Sequence, residues 1–450
     1  MKLPARDRLL FVALFVASIA ITYARDPDLY RLPAAAYEDG REMFAFYYNH
    51  PEPSSILRSY NGYVSLVPNL AGYLAARLPT VWIPHALALF PLAVAALAFS
   101  LLALEENRPL IASDGLRAVG CLVLALAPLG KRMFVSSTMY SLWNLLFILV
   151  LISLWEPPRS RLGAVGRALL LTALIWSNPL SVALLPVYGL LLAAHWKDGS
   201  LARLYYSVLA AVTVLYQLVA VEHLRDKAVD LIAASRVTVI FVLERVVFNT
   251  LFSDRLSRVL RRQEAVERIS WAAIAVVALL VAVLVAVLVL YRRRLSSRPG
   301  LGLTVLAYSI VAFTALYVVG RSADLEILAR HAGHRYFWVQ RLCFLVLLLV
   351  VVDLVLAAKP GRLGRAALTV MSLAVVYQLV WLNRVDNAKY RGRPGAGAKM
   401  RAFTAGVAAQ EARGDGSVEA RYARGVWSFE LHRPPTGEAR PASPGDGEER

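Results

Sequence analysis

Cysteine and acid are scarce in this chain. Only two cysteines, Cys121 and Cys343, occur in 450 residues. Both lie inside apolar runs and read as small buried hydrophobes, which excludes a disulfide framework or a cysteine metal site. Asp and Glu number 31 against 49 Lys and Arg, a formal charge of +18. No Gly-rich phosphate loop, HExxH, CxxC or Gly-x-Ser-x-Gly motif occurs, so the chemistries those motifs announce have no footing here. The apolar runs also lack the charges of a proton relay or voltage sensor, with Asp353 a lone exception.

Hydrophobic residues are abundant, at 58% of the chain. A soluble domain has no place for so much apolar surface, and runs of about 17–25 such residues are the mark of helices that cross a bilayer. The expected fold is therefore all-α, a polytopic helical membrane protein with about eleven transmembrane helices. The runs are 9–23, 81–104, 117–129, 140–155, 168–194, 205–221, 269–291, 301–319, 342–358 and 366–382. The first follows a basic start, but no convincing cleavage site leads into a soluble chain, so it reads as a retained helix. The excess positive charge divides among short loops, as membrane orientation requires, and nucleic acid is not an expected partner.

Charge also resolves the run 168–194, which Trp176-Ser177-Asn178-Pro179 interrupts. The loops bearing Arg159, Arg161 and Arg167, then Lys197 and Arg203, both read as cytoplasmic. For both to share a side the run must cross twice, so two short broken helices with Ser177-Asn178-Pro179 at their tip are expected. Lys131 and Arg132, in an expected outer turn, break the charge rule. The parity puts the N-terminus inside and four polar stretches outside: a first loop at 25–80, a second at 222–268, a third at 320–340, and the tail. Residues 1–383 form the membrane domain, 384–433 a small outer tail, and 434–450 a Pro/Gly/Glu-rich end that reads as disordered. Within the tail 392–397 reads as a linker. The alternation of Trp427, Phe429 and Leu431 with polar residues suggests one short strand.

The first loop carries the densest polar chemistry. Asn61-Gly62 is a turn dipeptide, and Tyr63, Leu66, Leu70, Tyr73 and Leu78 recur at helical spacing, as in a helix lying in the interface. Ahead of it stand Glu38, Asp39 and Gly40. A carboxylate there can take a proton from an attacking hydroxyl, and its neighbour can tune it or help hold a divalent cation such as Mg or Mn. Gly40 would let the backbone approach a ligand or start the next helix. The same spacing suits Asp39 as the N-cap of a helix starting near Arg41. In the second loop Arg255, Arg258 and Arg262 share a helix face, suited to anionic headgroups or a lipid-linked phosphate. In the third, His334, Arg335, Tyr336 and Phe337 combine a phosphate-binding fork with aromatics fit for an interface belt or for sugar stacking.

Taken together, Glu38-Asp39-Gly40, Tyr60-Asn61-Gly62-Tyr63 through Pro68, Asn178-Pro179 through Pro186, and Arg335-Tyr336-Phe337 resemble the motifs of bacterial multi-pass enzymes of the GT-C glycosyltransferase superfamily. The resemblance implies a polyprenyl-phosphate-linked sugar as donor, a glycan or lipid hydroxyl as acceptor, and inverting transfer on the outer face of the cytoplasmic membrane. It also implies Asp39 as the base with Glu38 beside it, Arg335 on the donor phosphate, and Tyr336, His334, Tyr60, Asn61 and Tyr63 around the substrate. A lipid transporter or flippase with a broken-helix site near Asn178-Pro179, and a non-catalytic membrane scaffold, are the competing readings.

Overall fold

The computed structural model describes residues 5–35, 38–127, 133–221, 231–248, 250, 298–320, 334–357, 396–413, 418–424 and 427–433. Its main elements in chain order are α1 (Ala5–Arg25), β1 (Ser59–Tyr60), β2 (Tyr63–Val64), α2 (Leu66–Ala75), α3 (Ile83–Ser100), α4 (Asp114–Leu126) and α5 (Leu142–Ser153). Then come α6 (Arg161–Ile175), α7 (Leu185–Ala194), α8 (Ser200–Ala220), α9 (Leu231–Phe241), α10 (Arg298–Gly320), α11 (Trp338–Ala357), α12 (Ala396–Arg413), β3 (Val418–Arg424) and β4 (Trp427–Arg433).

The chain is mostly helical. Among the described residues five stretches are long and apolar enough to cross a membrane: Asp7–Arg25, Thr80–Ala103, Ser200–Ala220, Pro299–Val319 and Trp338–Ala357. Helix α5 is buried along its whole length, as a helix apolar on every side must be. Helices at the edge expose apolar rows instead, Leu162, Val165 and Leu169 on α6 and Leu204, Leu215 and Leu218 on α8, which suits lipid and not water. Asp353, the acid inside an apolar run, caps a neighbour. Its two oxygens accept the amides of Ala112 at 2.8 Å and Ser113 at 3.2 Å, just ahead of α4. Those amides have no partner within the helix, so the carboxylate meets donors despite its apolar neighbourhood. Cys121 and Cys343 are buried and unbonded to each other, as expected.

The run 168–194 is a hairpin of two short helices. Tyr205, near the start of α8, interacts with Arg167 on α6, while Tyr206 stacks on His195 just past α7 at 5.6 Å. Toward the other end of α8, Tyr216 meets Trp176 at 5.6 Å and Gln217 donates to the Pro179 carbonyl at 2.9 Å. Helix α6 therefore runs parallel to α8 and α7 runs back. Trp176-Ser177-Asn178 forms the tip, and Arg167 and His195 share the opposite end. Proline at 179 starts the return, with the Asn178 side chain accepting the Leu180 amide.

Several details depart from expectation. The interfacial helix begins at Leu66, not Tyr63. Asn61 and Gly62 both have positive φ, 53° and 79°, which makes them the two-residue turn of a β-hairpin between β1 and β2. Tyr63 is thereby a strand residue, bridged also to Val221. The exposed row Leu70, Leu74 and Leu78 on and beyond α2 fits the expected interfacial face. The second loop contains helical structure at 231–248, and the tail has a helix that begins at the end of the expected linker, and two strands where one was expected. The expected spans 269–291 and 366–382, the arginines 255, 258 and 262, the pair Lys131 and Arg132, and the end 434–450 lie outside the described residues.

Candidate active site

The acidic motif opens a wide helical turn, Asp39–Ala45, of the π type. Such turns are rare and recur at functional sites. Here the turn carries both Asp39 and Glu42 into the interior, at 1% and 6% exposure. Asp39 does not cap its own helix. It reaches across to the segment ahead of α5, accepting the Ser137 hydroxyl at 2.8 Å, the Thr138 amide at 2.9 Å and the Met139 amide at 3.1 Å. It thus caps another helix from a distant part of the chain. Burial pushes its carboxyl up to about 7, against these three donors, which favour the ionised form; the nearby Glu38 charge adds to the rise.

Glu38 is placed differently. One oxygen accepts the Tyr140 hydroxyl at 2.6 Å. The other, Oε2, is buried and has no hydrogen-bond partner among the described residues. A carboxylate oxygen left this way has a lone pair to offer a ligand. Glu42, one turn on, is committed to cations: Arg58 at 2.7 Å and Arg41 at 3.3 Å. Arg58 also lies over the Phe46 ring at 3.6 Å. Tyr60 is half-buried near both acids, and burial followed by the charges of Glu42 and Glu38 raises its phenol above the usual range. Of the first-loop candidates, Tyr60 therefore joins the acidic turn, while Asn61 is exposed in the hairpin turn and Tyr63 faces Tyr216 and Val221.

The segment that receives Asp39 is held on several sides. Thr138 donates to the Leu87 carbonyl, the Val135 carbonyl accepts from Tyr30, and Asn144 links the Phe134 carbonyl to the Trp338 indole. One turn beyond Tyr140, Trp143 meets Tyr336 edge-on at 6.0 Å, and Tyr336 stacks on Tyr317 at 4.3 Å. The sequence-predicted Tyr336 is thus brought to the same helix face as the Glu38 partner. His334 and Arg335 sit in the short turn His334–Phe337 directly before it, and their side chains lie outside the described residues. Arg341 donates to the Arg245 carbonyl at 2.9 Å, and both side chains are buried.

Sequence reasoning missed Glu42, Arg58, Ser137, Thr138, Tyr140, Trp143, Arg245 and Arg341. Glu42 stands four residues after Glu38, a spacing that places two acids on one helical face. The run Ser136-Ser137-Thr138 before an apolar helix is a capping signal. Nothing local marks either one as a partner of residue 38 or 39. Asp39 faces three hydrogen-bond donors and Glu42 faces two guanidiniums, which leaves Glu38 Oε2 as the acidic oxygen of this turn with a lone pair to offer. Among the described residues no group of three or more His, Cys, Asp or Glu converges as metal ligands would. No protein-family model and no curated protein matches this chain.

Proposed function

We propose that this chain is a membrane-embedded glycosyltransferase that moves a sugar from a polyprenyl-phosphate donor to a hydroxyl acceptor, with Glu38 as the base. The observation that carries the reading is the contrast between the two adjacent carboxylates. Asp39 is used up as a helix cap, whereas Glu38 is oriented by Tyr140 through one oxygen and keeps the other for a ligand. In the reaction the acceptor hydroxyl gives its proton to Glu38 Oε2 as its oxygen attacks the anomeric carbon. The bond from that carbon to the phosphate oxygen breaks, the lipid phosphate leaves with the electron pair, and the configuration inverts. Tyr336, half-buried against Trp143 and Tyr317, is an aromatic suited to a sugar ring. Arg335 brings a guanidinium suited to the donor phosphate.

The wider setting is part of the same proposal: about eleven spans in a bacterial cytoplasmic membrane, the N-terminus inside, the first loop and tail outside. The tail docks on the first loop, so an even number of crossings must separate them, as the hairpin reading of 168–194 provides. The transporter alternative calls for a break near mid-depth. Here the break at Trp176-Ser177-Asn178 meets the start of α2, the Leu66 amide donating to the Trp176 carbonyl at 2.9 Å.

Glu38→Gln tests the assignment. The amide keeps Oε1 for Tyr140 and puts an NH2 group, which cannot take a proton, in place of Oε2. Loss of transfer on the order of 100-fold or more, with unchanged expression and thermal midpoint, is expected. Glycolipid and glycan profiles of cells carrying the variant supply the measurement. A profile identical to that of the parent chain would remove Glu38 as the base.

A further inference from the structure

We infer that the C-terminal unit, α12 with the β3–β4 hairpin, is a clamp that sets the position of Glu38, and that Phe429 is its positioning residue. Phe429 on β4 lies against the backbone of the acidic turn. A Cβ placed on Gly40 would stand 2.7 Å from Cε1 of that ring and 3.0 Å from the Ala35 carbonyl oxygen. Only glycine allows this approach, so Gly40 makes room for the protein's own tail. The ring is itself held, by Phe44 at 5.7 Å, Phe403 at 5.6 Å and Tyr422 at 5.1 Å between centroids.

Two polar anchors fix the unit on the first loop. Glu411 of α12 accepts the Tyr48 hydroxyl at 2.7 Å through one oxygen and the Thr80 hydroxyl at 2.8 Å through the other. The single carboxylate therefore ties the turn after the acidic motif to the start of α3. Asn49 pairs with the edge of β4 as a one-residue strand would: its amide donates to the Glu430 carbonyl at 3.1 Å and its oxygen accepts the His432 amide at 2.7 Å. At the start of α12, Gly397 packs directly on the Leu32 carbonyl.

The physical need for a clamp follows from the turn. A π-type turn that begins with glycine at its second residue is poorly restrained by its own hydrogen bonds. Asp39 pins one side to residues 137–139, and Phe429 closes the other side at Gly40. Glu38 sits directly before this sandwiched pair. Positional errors of about 1 Å at a reacting group cost rates on the order of 100-fold. The clamp thus acts on catalysis through Glu38 without touching substrate, and in this respect it rests on the transferase reading.

The test uses the full-length protein in lipid nanodiscs. Phe429→Ala is expected to raise amide hydrogen exchange in 38–45 while α11 stays protected. It is expected to lower kcat on the order of 10- to 100-fold with KM for the lipid-linked sugar changed less than about twofold. Phe429→Leu should restore most of the protection and rate, and Gly40→Ala should reproduce the defect from the opposite side of the contact. Should Phe429→Ala fail to fold, Glu411→Gln loosens the same unit at its rim and is read by the same two measurements. Unaltered exchange in 38–45 for the folded variants would overturn the clamp whatever the activity. Raised exchange beside a fully active Glu38→Gln variant would leave the clamp standing and remove Glu38 as the base.

Discussion

The Asp39 side chain accepts from Ser137, Thr138 and Met139, so each of its oxygens already faces a donor. Replacement by Asn puts an amide NH2 where one of those donors points, and a buried donor left without an acceptor costs about 1–3 kcal/mol. Loss of activity in Asp39→Asn therefore reports a broken cap, whereas Glu38→Gln keeps the Tyr140 contact and removes the proton acceptor. The pH dependence of stability reports on Asp39 as well. Unfolded, Asp39 releases its proton near its ordinary value of 3.8; folded, burial moves that to about 7. Between those values the folded state holds more protons than the unfolded one. The stabilisation this group contributes is complete below the unfolded value and is lost as pH rises through about 7. The thermal midpoint is expected to fall between about pH 4 and about pH 7, and Asp39→Asn should flatten that slope. A midpoint that rises over the same interval in the parent chain would contradict the assignment.

At the scale of elements, the broken hairpin shows what a sequence can disclose. Proline, a polar tip and the sign of flanking charge are local facts, and they sufficed to turn 168–194 into two antiparallel helices. The Asn61-Gly62 turn was legible in kind but not in consequence. The dipeptide's positive φ demanded a hairpin, and the helical spacing of Tyr63 with Leu66 and Leu70 concealed it. Less accessible still was the use of the hairpin tip as a platform. The Ser177 hydroxyl accepts the Val67 amide at 3.0 Å, and the Trp176 carbonyl accepts the Leu66 amide. The first turn of α2 is therefore capped by a segment more than a hundred residues away, where Ser65, its own preceding residue, makes no side-chain cap. Ser177→Ala should cost about 0.5–2 kcal/mol, the ordinary worth of an N-cap, and should raise exchange in 66–69 before it disturbs α6 or α7. Equal loss of protection along all three helices would mean that Ser177 holds the hairpin and not α2.

For the whole molecule, the polar chemistry gathers at one end: the acidic turn, the segment 137–140, the hairpin tip, the Tyr317–Tyr336 stack and the tail. The alternation of Phe429 and Leu431 marked a strand with one apolar face, but nothing in its own sequence named Gly40 as what that face covers. Long-range pairings of this kind, like Asp39 with 137–139, join segments whose patterns are each satisfied by many partners. Their consequence for topology is sharp, because a tail docked on the first loop must share its side of the bilayer. Cysteine probes can read this, since Cys121 and Cys343 are both buried and give little background. Arg41, 78% exposed, and Arg421, 70% exposed, report on the loop and the tail. Lys197, exposed beside the His195–Asp198 pair, reports on the opposite end. In sealed, oriented vesicles a membrane-impermeant maleimide should label Arg41→Cys and Arg421→Cys from one side, and Lys197→Cys only once the vesicles are opened or inverted. Labelling of Arg41→Cys and Arg421→Cys from different sides would separate the tail from the loop it packs on, and with it the clamp and the even count of crossings between them.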